Sequence, residues 1–158
     1  MEDVISEAKA ELIRAKNRIV TALTTTPDDK IAWSPSPTAR TPIELVAHSA
    51  LGISGIQEVL AGKPFPFSDM NVADTEFRAA EKAFPTREQA LGLLEKNSAA
   101  YIAWLDTLTP EQIGATFNEF GRPIAMTAAI TFAADHLRNH AAQLEYIQTI
   151  YGDREWRM

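Results

Sequence analysis

Apolar residues recur at alternating steps of three and four along four separate stretches of this chain, and that period limits its fold more than any other feature. The first stretch carries Ile5, Ala8, Leu12, Ala15, Ile19 and Ala22. It fades at Thr24-Thr25-Thr26-Pro27, where β-branched residues and a proline make a helix costly to continue. Thr41-Pro42-Ile43-Glu44 then has the order of a capping box with proline at the first helical position, which starts a second helix at about residue 42. Ile43, Val46, Ala47, Ala50, Ile53 and Leu60 fall on one side of it and Leu45, Gly52, Gly55 and Val59 on the other, so little of its surface is made for water.

Gly62 and Pro64 end that helix, and residues 62–85 form a long connection in which 74–82 can make a short helix. Thr86-Arg87-Glu88-Gln89 is a second capping box, followed by Leu91, Leu94, Ser98, Tyr101, Leu105 and Leu108 at helical spacing. Thr109-Pro110-Glu111-Gln112 opens a short helical turn, and 117–123 reads as an irregular, partly extended approach. The last helix starts near Ala125, carries Ile130, Ala133, Leu137, His140, Leu144, Ile147 and Tyr151 on its stripe, and stops at Gly152. No strand is required. The expected architecture is an all-α four-helix bundle with a long crossover between helices two and three, with residues 1–158 as one domain.

Composition narrows the function. Lys and Arg number 15 against 21 Asp and Glu, a net charge of −6, which argues against a surface that collects nucleic-acid phosphates. The absence of cysteine excludes disulfides, thiolate metal sites and a cysteine nucleophile, so a metal would be held by nitrogen or oxygen. The acidic start Met1-Glu2-Asp3-Val4 lacks the features of a signal peptide, and no apolar run approaches the roughly 20 residues of a membrane span. A cytoplasmic location and no membrane partner are expected.

The chain has three histidines: His48 in helix two, and His136 and His140 in helix four. The last two are four apart, so they project from one face and can grip a single ion. His140 also takes a stripe position otherwise given to Leu or Ile, where an unpartnered ring would cost about 1–3 kcal/mol. One reading makes His140 a satisfied core residue and His136 a solvated neighbour. The other joins all three imidazoles, neutral and on two helices, into a metal site with an open coordination position. Gly52 and Gly55, four and seven residues after His48, leave a slot beside the ring, although close helix packing also explains them. The segment His136-Leu137-Arg138-Asn139-His140 lacks the glutamate of a zinc-peptidase helix, and no Glu-x-x-His pairs support a di-iron site.

The order of these landmarks resembles the DinB/YfiT-like family. The resemblance rests on Trp33-Ser34-Pro35, on Thr41-Pro42-Ile43-Glu44-Leu45-Val46-Ala47-His48, and on His136-Leu137-Arg138-Asn139-His140-Ala141-Ala142-Gln143-Leu144. It implies a four-helix bundle, a divalent metal on His48, His136 and His140, frequent homodimers, and activities that include S-transfer from bacillithiol or mycothiol and a thiol-dependent isomerisation. Leu137, Asn139 and Ala142 depart from residues common in the family's last motif.

The leading expectation is therefore a thiol S-transferase that uses zinc, nickel, iron or manganese and a low-molecular-weight thiol on a small-molecule substrate. A hydrolase using metal-activated water and a non-enzymatic metal-binding bundle are the alternatives. Gln143 and Trp33 are the candidate cofactor or substrate contacts, Gln143 because it follows His140 by three and Trp33 because it lies in the loop before helix two. Glu44, one turn before His48, can be read as a carboxylate orienting that ring, but its capping position already explains it.

Overall fold

Each stripe forms a helix in the computed structural model, which describes residues 2–118 and 122–157. α1 (Glu2–Thr25) and α2 (Pro42–Leu60) come first, followed by a shorter α3 (Met70–Glu81) within the long connection. α4 (Arg87–Leu105) and a single turn, α5 (Pro110–Ile113), lead into the final portion. Both long capping boxes form: Thr41 with Glu44 starts α2, and Thr86 with Gln89 starts α4. Glu44 is thus a cap, and its Oε2 accepts from the Thr41 amide at 2.9 Å. Gly62 and Gly152, with φ of 95° and 102°, follow α2 and the last helix in the left-handed conformation that a side chain would strain.

The long helices form a closed ring: α1 packs on α4 and α7 (Phe132–Ile150), and α2 packs on the same two. Consecutive helices α1 and α2 therefore sit on a diagonal, which the long connections permit. The core is made by the stripes, with Leu12, Ile19, Ile53, Leu94, Leu137 and Leu144 all fully buried. Polar ties fix the ends. Arg87 donates to the carbonyls of Thr26 and Leu23 at 2.7 and 3.3 Å, capping the open carbonyls of α1. Buried Gln148 donates to the Ala22 carbonyl at 2.7 Å and joins α7 to α1.

Two features differ from the sequence reading. First, there is a minimal antiparallel pair, β1 (Thr116–Phe117) with β2 (Ile124–Ala125), in register Thr116 to Ala125 and Phe117 to Ile124. Two residues per strand are too few to leave an alternating pattern, and residues 119–121 of the expected irregular approach lie outside the described residues. Second, the last helix does not run unbroken from residue 125. α6 (Met126–Ala129) is separated from α7 by Ile130 and Thr131. The break frees the Ile130 carbonyl, which accepts a 3.0 Å hydrogen bond from the buried Tyr101 hydroxyl. No helix among the described residues is long and apolar enough to cross a membrane.

Candidate metal centre

The second turn of α2 and the first turns of α7 face each other across the bundle, and this brings the three histidines together. Ring centroids are 4.5 Å apart for His136 and His140, 4.7 Å for His48 and His140, and 5.3 Å for His48 and His136. One ring nitrogen from each lies within 4.8 Å of the others, close enough to share an ion. The i, i+4 spacing supplies two of the rings, and the packing of α2 on α7 supplies the third.

Hydrogen bonding assigns the ring nitrogens. His48 Nδ1 lies 2.8 Å from Glu81 Oε1 and His140 Nδ1 lies 2.8 Å from Gln143 Oε1. Both partners are acceptors, so each neutral ring carries its proton on Nδ1 and keeps a lone pair on Nε2. His136 Nε2 is buried with no hydrogen-bond partner. A buried imidazole nitrogen left without a partner is costly unless something outside the chain completes it. One nitrogen from each of three imidazoles, with two of the rings held through Nδ1 by acceptors, is the kind of donor set that holds zinc, nickel or iron in proteins. The residues present fit a divalent ion.

Electrostatics keep the His136 and His140 rings in the form that binds a cation. Burial, reinforced by the neighbouring His140 and His48, pushes the His136 imidazole down to about 3. Burial likewise takes His140 down to about 4, against the opposing hydrogen bond to Gln143. Both are therefore neutral at pH 7.

Gly52 lets this packing happen. A Cβ at residue 52 would lie 2.1 Å from His136 Nε2, so any side chain there would collide with the ring. The glycine slot inferred beside His48 is in fact the seat of His136. Gly55 is different: its missing Cβ would have only Phe77 Cζ nearby, at 4.0 Å, and it opens onto a cavity.

Glu81, at the end of α3, was not singled out in the sequence. It is 2% exposed, and its carboxylate accepts from His48 and, at 2.9 Å, from Arg40 Nε. Burial alone would raise its pKa, but the hydrogen bonds from His48 and Arg40 outweigh that and hold it below the usual carboxylate range. Arg40 Nη2 also donates to Asp74 at 2.8 Å, and Asp74 accepts from Arg78 at 2.7 Å. A chain of charges therefore runs from α3 through the α2 entry to the His48 ring. The only available sequence signal was an acid near the end of the short helix expected over 74–82.

A cavity of about 310 Å³ adjoins the trio, with His48, His136, Gly52 and Gly55 in its wall. α3 covers it, and Phe77 packs edge-on to His48 at 5.3 Å. β1 places Phe117 in the same wall. His140 is outside this wall, and its bond to Gln143 is exposed, so the trio is approached from two sides. Trp33 lies elsewhere. It packs edge-on against Tyr151 at 6.1 Å, and Tyr151 follows His140 by eleven residues, about 16 Å along the helix axis.

A bundle whose second and last long helices converge three imidazoles on one point has the form of a metal-binding helical protein. The chain belongs to the DinB superfamily, whose sequence profile matches residues 11–144. Its fold is similar to that of YfiT from Bacillus subtilis, described as a probable metal-dependent hydrolase with an unusual four-helix bundle topology. The two share 18% identity over 94% of this chain and 87% of that one, with a TM-score of 0.73. It is also similar to a DinB-like protein, YjoA, from Bacillus subtilis, at 18% identity over 96% of both chains and a TM-score of 0.66. A third similar structure is the sibling lethal factor precursor DfsB, at 17% identity over 94% of this chain and 97% of that one, with a TM-score of 0.69. None of the curated proteins matches the chain.

Proposed function

We propose that the chain is a metal-dependent enzyme in which His48, His136 and His140 hold a divalent ion and a small nucleophile from solvent, a thiol or water, attacks a small-molecule substrate, displacing its leaving group and giving up its own proton to water. A thiol S-transferase is the leading form. A divalent ion on three imidazole nitrogens would supply a Lewis acid that favours the thiolate over the thiol and lowers the pKa of water.

The observation that carries this reading is the two-sided access to the trio. The His140 and Gln143 side meets solvent and suits a polar thiol, while the cavity beside His48 and His136 suits the second reactant. The chain's own carboxylates near the trio are committed: Glu81 accepts from His48 and Arg40, and Asp74 from Arg40 and Arg78. Neither is placed as a free general base, so activation is left to the ion. Gln143 and Glu81 orient the rings of His140 and His48, and Gly52 makes room for His136.

A second reading, a hydrolase, has support of its own. The structurally similar YfiT is described as a probable metal-dependent hydrolase. In the cavity, Arg40 already shares its charge with Glu81 and Asp74, which weakens its pull on an acidic thiol cofactor.

Zinc-loaded protein assayed with monobromobimane, with and without bacillithiol, separates the two. S-transfer predicts conjugation that needs the thiol and disappears with chelator and in His140→Ala. Thiol-independent turnover of 4-nitrophenyl acetate that chelator abolishes would favour the hydrolase. Conjugation indifferent to chelator overturns the transferase.

A further inference from the structure

The cavity beside the trio is built for a particular kind of guest. Ile56, Val59, Phe65, Phe77, Phe117 and Phe132 are six of its fifteen wall residues, and four of these six are aromatic. Phe65 meets Phe67 edge-on at 5.5 Å, Phe67 meets Phe77 at 5.8 Å, and Phe77 meets His48. Edge-to-face surroundings of this sort offer both ring edges and ring faces to a further aromatic group.

Its two charged wall residues do not recruit an ionic guest. Arg40 is paired through Nε with Glu81 and through Nη2 with Asp74, and Asp74 is paired a second time with Arg78. A carboxylate guest would meet an arginine whose charge is already shared between two acids, and would sit beside both of them. An ammonium guest would sit beside the guanidinium and, in the loaded protein, beside a divalent cation. The volume, about 310 Å³, is equivalent to about ten waters at about 30 Å³ each. It stands at the small end of ligand pockets.

We infer that the cavity binds the uncharged aromatic or branched-alkyl body of the substrate, on the order of ten non-hydrogen atoms, and points its reacting end at His48 and His136. The inference takes the reacting end from the proposed function, but the recognition it describes belongs to the walls and does not need the ion. Gly55 makes it testable. A Cβ at that position would have only Phe77 Cζ within 4 Å and none of the three rings, so a side chain there starts in guest space.

The probes are 4-isopropylbenzyl alcohol, 4-isopropylbenzoate and 4-isopropylbenzylammonium, which share one body and differ in charge. Their binding to the full-length protein is measured by ligand-observed NMR, before and after chelation, with a melting curve to establish that each sample is folded. The alcohol should bind at least tenfold more tightly than either ion to the chelated protein, and more tightly than the ammonium to the zinc-loaded protein. If chelation unfolds the chain, the zinc-loaded comparison decides. Gly55→Leu should lower the alcohol's affinity at least tenfold with zinc stoichiometry unchanged. Phe77→Leu should lower it several-fold and provides the answer if the first variant does not fold. Equal or tighter binding of either ion to the chelated protein, equal or tighter binding of the ammonium to the zinc-loaded protein, or full affinity in both variants overturns the inference. Alcohol binding without any zinc binding leaves it standing and removes the metal-dependent reading instead.

Discussion

The two flanks of the histidine trio are supported in opposite ways. On one flank His48 donates to Glu81, an acid 2% exposed that lies 33 residues away in sequence and is held by Arg40. On the other, His140 donates to Gln143, a neutral amide one turn along the same helix, in contact with solvent. The first support is charged, dry and tertiary. The second is neutral, wet and local. Dielectric surroundings decide what each is worth, because a hydrogen bond to a charged group out of water is stronger than a neutral one in it. The flanks should therefore contribute unequally to metal affinity, although each supplies one ring.

The largest effect belongs to the residue between them. Gly52→Ala places a Cβ 2.1 Å from His136 Nε2, a contact no packing accommodates without moving the ring or the helix. Zinc stoichiometry, measured by elemental analysis after gel filtration, should fall from one per chain to near zero. Gly55→Ala, where the added carbon meets nothing closer than 4.0 Å, should keep full stoichiometry. Full occupancy in Gly52→Ala would mean that His136 does not hold the ion in the arrangement described.

The buried flank comes next. Glu81→Gln keeps the shape but removes the charge behind His48, and loss of such a partner typically reduces metal affinity 10–100-fold. Competition with a zinc chelator reads this directly. Glu81→Ala should also destabilise the fold by about 3 kcal/mol, because Arg40, with its side chain 11% exposed, loses one of its two acids. Denaturant melts of the metal-free protein would measure that cost separately from the ion. An affinity unchanged in Glu81→Gln would reduce the tertiary flank to packing.

The exposed flank should matter less. Gln143→Ala removes one solvent-accessible hydrogen bond, worth about 0.5 kcal/mol, or roughly twofold in zinc affinity. The same competition assay compares it with Glu81→Gln. A larger loss in Gln143→Ala than in Glu81→Gln would reverse the ranking of the two flanks.

The same contrast explains what could be read from the sequence. Features written into adjacent turns were legible: the stripes of all four long helices, the Thr41 and Thr86 capping boxes, the left-handed stop at Gly152, and the i, i+4 geometry of His136 and His140. Gln143 was legible as a neighbour of His140 for that reason. Glu81 and Arg40 were not, because nothing local distinguishes an acid at the end of a short helix from a solvated one until α3 folds back over α2. Trp33 shows the opposite failing. Nearness in sequence to the start of α2 suggested nearness to the site, whereas the loop instead packs the indole against Tyr151. The β1 and β2 pair escaped because two residues carry no period, yet it delivers Phe117 to the cavity wall.

A control on the outer face isolates burial as the deciding variable. Arg18 donates to both carboxylate oxygens of Glu145, at 2.6 and 2.5 Å, a two-pronged geometry as good as any made by Arg40. It joins α1 to α7 as Arg40 joins the α2 entry to α3. The difference is solvent: the two side chains are 44% and 36% exposed, against 11% and 1% for Arg40 and Glu81. Water and salt screen the outer pair, and ordering two long side chains offsets what attraction is left. Glu145→Gln should change stability by less than about 1 kcal/mol, lose most of even that change in 1 M salt, and leave zinc affinity where it was. Melts and chelator competition on this variant, run beside Glu81→Gln, make the comparison. If the two substitutions weaken zinc binding equally, charge near α7 rather than the dry contact with His48 governs the site, and the asymmetry between its flanks has no electrostatic basis.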